Sequence, residues 1–324
     1  MRVFETGRVD EKKAIDDALA HVQLGTEATF GNMTIVPLLD GRSGSTDYLT
    51  LDDGLARGLV QITEVSVEGR VPDLKFTNES DEPVLLLDGE ELIGAKQNRV
   101  LNLTILAPAK RTIVIPVSCV EAGRWSRRSP KFTTSSQAHF ARGRANRMAQ
   151  VSHSLQASGE RRSDQHAVWE EIGAKASRLK VASPTAAMAD IYETYMKRVN
   201  AYADDLTAGD QQAGAAFVIN GEVIGFDLFG SPATLKKLLP KLVRSYALDA
   251  IETVTERGGV ASRRAVEELL LAVGQAEAKT FPAVGEGVDV RLSGPDLTGA
   301  GLLAKGRVVH LSAFRLEGMR QGHD

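Results

Sequence analysis

The chain has 324 residues, of which 43% are hydrophobic, 25% charged and 5% aromatic, and its formal net charge is −3. Apolar residues are too plentiful for a disordered chain, and no apolar run approaches the roughly 18 residues that a membrane helix requires. The first residues lack the apolar core and cleavage site of a secretory signal, and a single cysteine, Cys119, excludes an intramolecular disulfide framework. These features predict a globular, cytoplasmic protein in a reducing compartment, with no membrane partner.

Up to about residue 121, short β-branched apolar runs separated by turn residues indicate strands. A short helix at 11–20 precedes them, within an N-terminal extension at 1–24. The predicted strands cover 33–39, 48–51, 59–65, 74–77, 84–87, 92–95, 100–106 and 112–120.

From about residue 134 the apolar period becomes helical. Ser183-Pro184 and Ser231-Pro232 each place a capping residue before a proline at the first helical position, and each opens an apolar stripe. Two further stripes indicate two more helices, and then strands resume. These stripes cover 168–179 and 266–273, and the later strands cover 216–229, 288–292 and 308–314.

Strands, then helices, then strands without strict alternation predict an α+β fold. We expect a mainly antiparallel β-sheet or barrel-like core with an inserted helical segment. The predicted organisation is a β-rich half at 25–121, a basic arm and helical segment at 122–210, and a second α+β half at 211–324. The second half is expected to form one compact domain with the first.

Two segments of the chain share a pattern. Residues 84–94 read VLLLDGEELIG and residues 216–225 read AFVINGEVIG, so each has a strand, an Asp-Gly or Asn-Gly pair, a glutamate and a second strand. Such pairs tolerate the positive φ values of a type I′ turn, so both segments are predicted to be β-hairpins. Duplication of one hairpin would place Glu90 and Glu222 at equivalent positions. Chance similarity between short hairpins is the alternative.

Charge is segregated along the chain. Residues 79–91 include six acidic residues and no Lys or Arg, whereas residues 122–159 contain no Asp or Glu. One interpretation is a mobile basic arm that attracts phosphate or nucleic acid. The favoured interpretation is a partly helical surface segment that docks on the acidic strands of the same molecule, so nucleic acid is not the favoured partner. The basic residues of this window are Arg124, Arg127, Arg128, Lys131, Arg142, Arg144 and Arg147.

The densest polar cluster is the run DGEELIGAKQNR from Asp88 to Arg99. Carboxylates beside lysine and arginine can act as acid or base, ligate a hard cation, or bind a polar ligand; the alternative is two surface turns with ion pairs. The candidate catalytic residues are Glu90 and Glu91. The candidate ligand-binding residues are Lys96, Gln97, Asn98, Arg99, Glu121, Arg124, Trp125 and Glu222.

The second candidate run, SCVEAGRW, follows a long apolar strand. Trp125 could stack on a base while Arg124 pairs with phosphate, although ordinary packing is the alternative for the tryptophan. Cys119 is interpreted as a small buried apolar residue rather than a nucleophile.

Common phosphate-binding and nucleophile motifs are missing from the sequence. It contains no GxxxxGK[ST] run, no GxGxxG after a strand and no GxSxG elbow. Its six histidines never lie closer than 13 residues apart. No local histidine-based metal motif is therefore present, no metal ligand is assigned, and no particular cofactor is indicated.

The DGEELIGAKQNR run, followed by PVSCVEAGRW, resembles the ARG and Rhodanese-Phosphatase-superfamily-associated Protein domain family of prokaryotic proteins. Further matching runs lie at 165–172, 242–251 and 281–294, and the resemblance spans most of 25–318. The family is named for genomic neighbours, ADP-ribosylglycohydrolases and rhodanese-like phosphatases. The resemblance therefore implies a setting in ADP-ribose or nucleotide metabolism, without implying a particular activity or catalytic residue.

Three hypotheses of function remain open. In the first, a small phosphorylated or ADP-ribose-like ligand binds in a cleft at 88–99, where Lys96, Arg99 and Arg124 pair with phosphate, and Gln97 and Asn98 read ribose or base edges. In the second, the protein is a hydrolase whose Glu90 or Glu91 activates water. In the third, the basic arm docks a protein or RNA partner without catalysis. The oligomeric state does not follow from the sequence.

Overall fold

The computed structural model describes residues 7–42, 46–66, 72–126, 129–254 and 263–316. Arg127 and Arg128 of the basic window lie outside these ranges. None of the helices within them is long and apolar enough to span a bilayer. The helices are α1 Gly7–His21, α2 Leu51–Ala56, α3 Ala141–Ser158, α4 Gln165–Arg178, α5 Met188–Asp205, α6 Pro232–Glu252 and α7 Arg263–Gln275.

Strands of the described ranges fall into three sheets. In chain order they are β1 Gln23–Leu24, β2 Ala28–Phe30, β3 Met33–Leu39, β4 Leu49–Thr50, β5 Val60–Glu64, β6 Asp73–Asn78, β7 Val84–Leu86, β8 Glu90–Gly94 and β9 Arg99–Leu101. The remainder are β10 Ile105–Ala107, β11 Thr112–Cys119, β12 Phe132–Ala138, β13 Gln212–Ile219, β14 Glu222–Phe229, β15 Glu277–Pro282, β16 Val288–Gly294, β17 Leu297–Ala304 and β18 Arg307–Arg315.

The largest sheet has the order β1-β3-β13-β14-β18-β17-β16-β15, with β2 also paired to β3. A six-stranded sheet has the order β12-β8-β9-β11-β6-β5, and a three-stranded sheet has the order β10-β7-β4. Among the described strands, only β4 and β7 pair in parallel. The pairing of β3 with β13 joins the N-terminal strands β1 to β3 to the strands β13 to β18 of the C-terminal part of the chain. The predicted α+β class, with antiparallel sheets and an inserted helical segment, is confirmed.

Helices cover both faces of the nine-stranded sheet. On one face, Ile15 of α1 and Val266 of α7 are fully buried against apolar strand residues such as Val218. On the other face lie α3 and α6, where Tyr246 of α6 stacks on Phe217 at 3.8 Å between ring centroids, and α4 and α5 pack outside them. Residues 217 and 218 face opposite sides because side chains alternate along a strand. A third apolar core fills the space between the two smaller sheets and α2.

The starts of two helices test the predicted Ser-Pro caps. At α6 the prediction is confirmed, since the Ser231 hydroxyl accepts a hydrogen bond from the Ala233 N–H and Pro232 is the first helical residue. The predicted start of α5 at residue 184 is wrong, because α5 begins at Met188. Residue Ala187 instead forms a bridge with Glu121, and the Met188 N–H donates to the Val120 carbonyl at 2.9 Å. Extended pairing to the end of β11 thus delays the helix.

The two predicted hairpins differ. The β13–β14 hairpin is confirmed: Asn220 and Gly221 have φ values of +53° and +86°, as a type I′ turn requires. The hairpin predicted at 84–94 is wrong, because β7 and β8 belong to different sheets. Of Asp88-Gly89, only Gly89 has positive φ, at +82°. The chain therefore turns between two sheets at this point, and the proposed hairpin duplication loses its structural basis.

Candidate functional site

The two candidate glutamates of β8 lie on opposite faces of the six-stranded sheet, since adjacent side chains of a strand alternate. Glu90 forms a buried ion pair with Lys241 of α6, with 2.6 Å between Oε1 and Nζ, and its Oε2 accepts the Leu87 N–H at 2.8 Å. Lys241 also binds Asp52 of α2 at 2.7 Å. Burial raises the pKa of Glu90, and Lys241 opposes that effect. One carboxylate oxygen thus holds α6 against β8, and the other binds the backbone just after β7.

Glu91 lies on the same face as Val100, which packs in the large apolar core that α3 to α6 share. It is fully buried, and its Oε2 accepts a hydrogen bond from Gln137 Nε2 at 2.8 Å. Burial raises its pKa to about 7. Glu91 pairs with Val100 across the strands, whereas Arg99 pairs with Leu92, so Glu91 and Arg99 lie on opposite faces. Glu90 shares the face of Leu92 and Arg99, but its carboxylate pairs with Lys241 rather than with the predicted ligand-binding residues.

The turn between β7 and β8 binds the predicted basic arm. Asp88 accepts hydrogen bonds from Arg147 Nη2 at 2.7 Å and Arg144 Nε at 3.3 Å, and both arginines lie on α3. Arg144 also pairs through both terminal nitrogens with Asp227 of β14, at 2.6 and 3.0 Å. The predicted docking of the basic window on the acidic strands is thus confirmed for Arg144 and Arg147. Because both side chains are buried, neither can meet a polyanion in solution.

Gln97 organises a separate buried cluster at the junction of β8, β9 and β11. Its Nε2 donates to the Glu121 carbonyl at 2.9 Å, while its Oε1 accepts from Arg99 Nη1 and from the Cys119 thiol, each at 3.0 Å. Cys119 is fully buried, as predicted. Burial raises the pKa of its thiol, although the charge of Arg99 opposes this. Gln97 is therefore occupied in positioning Arg99 rather than free to read a ligand.

Glu121 and Arg124 form the second part of this cluster. Their side chains pair at 2.6 Å, and Glu121 Oε2 accepts the Asn98 N–H at 3.1 Å. Arg124 also donates to Asn98 Oδ1 at 3.2 Å. Burial alone would raise the pKa of Glu121, but the hydrogen bonds from Arg124 and the Asn98 backbone outweigh it, so the pKa lies below its usual value. The pair fixes the loop from 95 to 98 against the end of β11.

Arg99 is the exceptional member of the cluster. Its side chain is 0% exposed, yet its Nε and Nη2 have no hydrogen-bond partner. No carboxylate of the described residues forms an ion pair with it; Glu64 acts on it electrostatically, and the Oε2 of Glu64 is also unpartnered. Burial lowers the pKa of Arg99. Nε and Nη2 form one edge of the planar guanidinium, which is the edge that binds two oxygens of a phosphate or carboxylate.

Trp125 and Lys96 lie at the outer side of Arg99. The Arg99 guanidinium carbon is 5.7 Å from the centroid of the Trp125 ring, and the Lys96 ammonium is 5.2 Å from it. Trp125 is 48% exposed, which is unusual for a tryptophan, so about half of its surface is open to solvent. One further cation and an aromatic ring thus lie at the surface side of a buried arginine.

Glu222 is not part of this cluster. It is exposed at the start of β14, in the nine-stranded sheet, whereas the Arg99 cluster is built from the six-stranded sheet. The structure therefore brings together Lys96, Gln97, Asn98, Arg99, Glu121, Arg124 and Trp125. Glu90 and Glu91 bind other partners, Lys241 and Gln137, and Glu222 lies in another sheet.

Several buried polar residues of the nine-stranded sheet were not among the candidate site residues predicted from the sequence. Asp227, Asp289, Arg291, His310 and Ser312 alternate with apolar residues in their strands, a pattern that is typical of a sheet face in water. In the structure that polar face is buried beneath α3, and all five residues are at most 4% exposed. The sequence signal that could have identified them is the alternation of polar and apolar residues in β14, β16 and β18. Only the packing of α3 shows that the polar face of these strands is internal.

Within the described residues, no group of three or more His, Cys, Asp or Glu side chains is arranged to hold a metal ion. The chemical groups available at the Arg99 cluster are therefore guanidinium, ammonium, carboxylate, amide, thiol and indole. This set is suited to binding an anion through charge-assisted hydrogen bonds.

Comparison with known proteins agrees with the motifs of the 84–125 region. No curated protein and no solved structure gives a significant match to the chain. A family model matches residues 21–314, which includes every residue of the Arg99 cluster and both halves of the nine-stranded sheet. The chain belongs to the ARG and Rhodanese-Phosphatase-superfamily-associated Protein domain family.

Proposed function

We propose that the protein binds a small phosphorylated ligand of the ADP-ribose or nucleotide class at the Arg99 cluster. The single observation that supports this most is the free edge of Arg99. A buried cation without a carboxylate partner is costly, because burial removes its hydration without replacing it. A ligand phosphate would supply both the missing charge and two acceptors for Nε and Nη2.

The surrounding groups favour a ligand that carries more than an anion. Glu64 Oε2 is an unpartnered acceptor near Arg99, and it would accept a hydrogen bond from a ligand hydroxyl. Trp125 is half-exposed and offers an indole ring for stacking with a base. An oxyanion, hydroxyl donors and an aromatic ring are combined in phosphorylated ribosides, which is also the ligand class that the family's genomic setting implies.

The roles that we propose for these residues differ from the roles expected from the sequence. Arg99 binds the phosphate and Lys96 adds a second cation. Gln97, Asn98 and the Glu121–Arg124 pair position them, since their own hydrogen bonds are already satisfied within the protein. Trp125 covers Arg99, so entry of the ligand displaces the indole ring.

The test is isothermal titration calorimetry of the full chain with inorganic phosphate, AMP and ADP-ribose. We expect binding to wild type and at least a tenfold loss of affinity, about 1.4 kcal/mol, for Arg99→Lys, which keeps the charge but loses the bidentate edge. Arg264→Lys is the matched control, because Arg264 is an exposed helical arginine. A change in Trp125 fluorescence, absent in Trp125→Phe, should accompany binding.

Arg99→Met separates a ligand-binding role from a structural one. If Arg99 serves a ligand, replacing an unpaired buried cation with an apolar side chain of similar length should abolish binding without lowering the midpoint of urea unfolding. A large loss of stability would identify Arg99 as a structural residue. Undiminished binding by Arg99→Met, or no binding of any of the three compounds to wild type, would contradict the proposal.

A further inference from the structure

A second constellation lies away from Arg99, on the inner face of the nine-stranded sheet. Thr104 Oγ1 is 2.8 Å from His310 Nδ1, and His310 Nε2 is 3.0 Å from Asp227 Oδ1. A hydroxyl, an imidazole and a carboxylate are thus connected in series by two hydrogen bonds. The three residues come from the loop before β10, from β18 and from β14, which is why no sequence motif reveals them.

Hydrogen-bond chemistry fixes the polarity of this series. Burial alone would raise the pKa of Asp227, but Arg144 and the hydrogen bonds outweigh it and hold the pKa well below its usual range, so Asp227 is a carboxylate that can only accept. His310 Nε2 must therefore donate to Asp227, and in a neutral imidazole this leaves Nδ1 as the acceptor of the Thr104 hydroxyl proton. The imidazole is thereby oriented to remove the proton of Thr104.

Other contacts hold the groups in this arrangement. Phe229 stacks on the His310 ring at 4.5 Å with an interplanar angle of 18°. The Asp88 N–H donates to Thr104 Oγ1 at 3.1 Å. One lone pair of the hydroxyl oxygen accepts that hydrogen bond, and the other remains free to attack an electrophile.

A small cavity adjoins the series. It has a volume of about 10 Å³ and is lined by Thr104 and His310 together with Asp88, Asp289, Arg291 and Ser312, among others. Arg291 is 2% exposed, pairs with Asp289 at 2.7 Å, and has an unpartnered Nε. Thr104 is only half-buried, unlike His310 and Asp227. The nucleophile is thus the member of the series nearest to solvent, and a cation without a full set of partners lies beside it.

We propose that Thr104, His310 and Asp227 form a nucleophilic triad that hydrolyses esters of small acyl groups. Thr104 Oγ bonds to the carbonyl carbon while its proton passes to His310 Nδ1, and the carbonyl oxygen becomes negative near Arg291. The bond from the carbonyl carbon to the leaving oxygen then breaks, and His310 gives its proton to the leaving alcohol. An acyl ester of Thr104 remains.

Water completes the cycle. It loses a proton to His310 as its oxygen bonds to the acyl carbon, the bond from that carbon to Thr104 Oγ breaks, and the proton returns from His310 to Thr104. The net reaction converts an ester and water to an acid and an alcohol. The cavity has room for about one water molecule. Because this space accepts little more than one oxygen atom, the expected acyl group is one of the smallest, acetyl, with its carbonyl oxygen in the cavity and its methyl and leaving groups on the exposed side of Thr104.

The test uses 4-nitrophenyl acetate as the probe. We expect release of 4-nitrophenol above the uncatalysed rate and an acetyl group on Thr104 in peptide mass spectra of the acid-quenched protein. Thr104→Val should reduce release to the uncatalysed rate, and Thr104→Ser, which keeps the hydroxyl, should retain acetylation at position 104. Thr194→Val is the matched control, because Thr194 is an exposed helical threonine and its removal should change nothing.

Measurements on the wild-type protein alone can overturn the proposal, so the test does not depend on whether the variants fold. Release at the uncatalysed rate, or acetylation confined to lysines with none on Thr104, would show that the series is structural. A folded Thr104→Val variant with wild-type release would do the same. None of these results depends on whether Arg99 binds a phosphorylated ligand.

Discussion

Two buried arginines of this protein differ in how their charge is compensated. Arg144 makes contacts with both Asp88 and Asp227, so its guanidinium is surrounded by carboxylates of the same chain. Arg99 has an amide partner in Gln97, but two of its nitrogens are unpartnered. Structural arginines in protein interiors are normally paired, because an unpaired buried charge is expensive. This contrast is the reason for assigning a structural role to Arg144 and a ligand-binding role to Arg99.

At the residue scale, Glu91 should make stability depend on pH. Burial raises its pKa to about 7, whereas its ordinary value is 4.5. The folded state keeps Glu91 protonated where the unfolded state ionises it, so its contribution to stability is complete below about pH 4.5 and is lost as pH rises towards 7. The expected loss is roughly 3 kcal/mol in the free energy of unfolding.

Urea unfolding of wild type and Glu91→Gln near pH 5 and near pH 8 measures this contribution. The glutamine variant should lose less stability between the two pH values, because it has no proton to release. Glu171, whose pKa burial likewise raises to about 7, is present in both proteins and cancels in the difference. The same pH dependence in both proteins would show that Glu91 ionises normally.

At the scale of elements, the turn between β7 and β8 positions the central charges of the molecule. Gly89 has a φ of +82°, and a Cβ on it would lie 3.0 Å from Arg144 Cγ. Gly58 provides a matched control, since its φ is +67° but nothing lies within 4 Å of an added Cβ. We expect Gly58→Ala to cost about 1 kcal/mol from backbone strain alone.

Gly89→Ala should cost more than Gly58→Ala, by about 1–2 kcal/mol, because Arg144 must shift from its carboxylate partners as well. Chemical denaturation of both variants gives the comparison. Equal costs would mean that Arg144 adapts without losing its contacts, and that the turn matters only for its backbone conformation.

The same turn shows where local sequence patterns stop being sufficient. The strands at 84–87 and 92–95 were predicted, as was a turn at Asp88-Gly89, because apolar runs and turn residues are local signals. Whether two strands joined by a turn pair with each other depends on competing partners. Here β10 pairs with β7, while β9 and β12 pair with β8, so the hairpin does not form.

At the scale of the molecule, Arg144 connects the two sheets that carry the proposed sites. Asp88 lies between β7 and β8, whereas Asp227 lies in the nine-stranded sheet, and Arg144 of α3 binds both. Arg144→Met would leave both carboxylates without this partner, so we expect a loss of roughly 3–5 kcal/mol in the free energy of unfolding. Arg264→Met should cost at most about 1 kcal/mol, because the pair of Arg264 with Glu268 is exposed.

Tryptophan fluorescence and far-ultraviolet circular dichroism should report one transition with the same midpoint in wild type. Apolar residues from β3, β7, α3, α6 and β18 share one core, so the parts of the chain are expected to unfold together. Two separate transitions would indicate that the small sheets and the nine-stranded sheet are independently stable, and that Arg144 merely joins them.

The sequence by itself determined the α+β class, most strand positions, the α6 cap and the segment of chain that carries the Arg99 cluster. These features depend on residue periodicity, capping and charge density, which are local properties. Only the tertiary structure decided which side chains meet. Glu90 and Glu91 are neighbours in sequence but face opposite sides of a sheet, whereas Thr104, Asp227 and His310 are distant in sequence and hydrogen-bonded in space. The alternation of side chains along a strand separates the first pair, and long-range strand pairing brings the second group together. A local sequence pattern encodes neither the partner of a strand nor the helix that covers that strand.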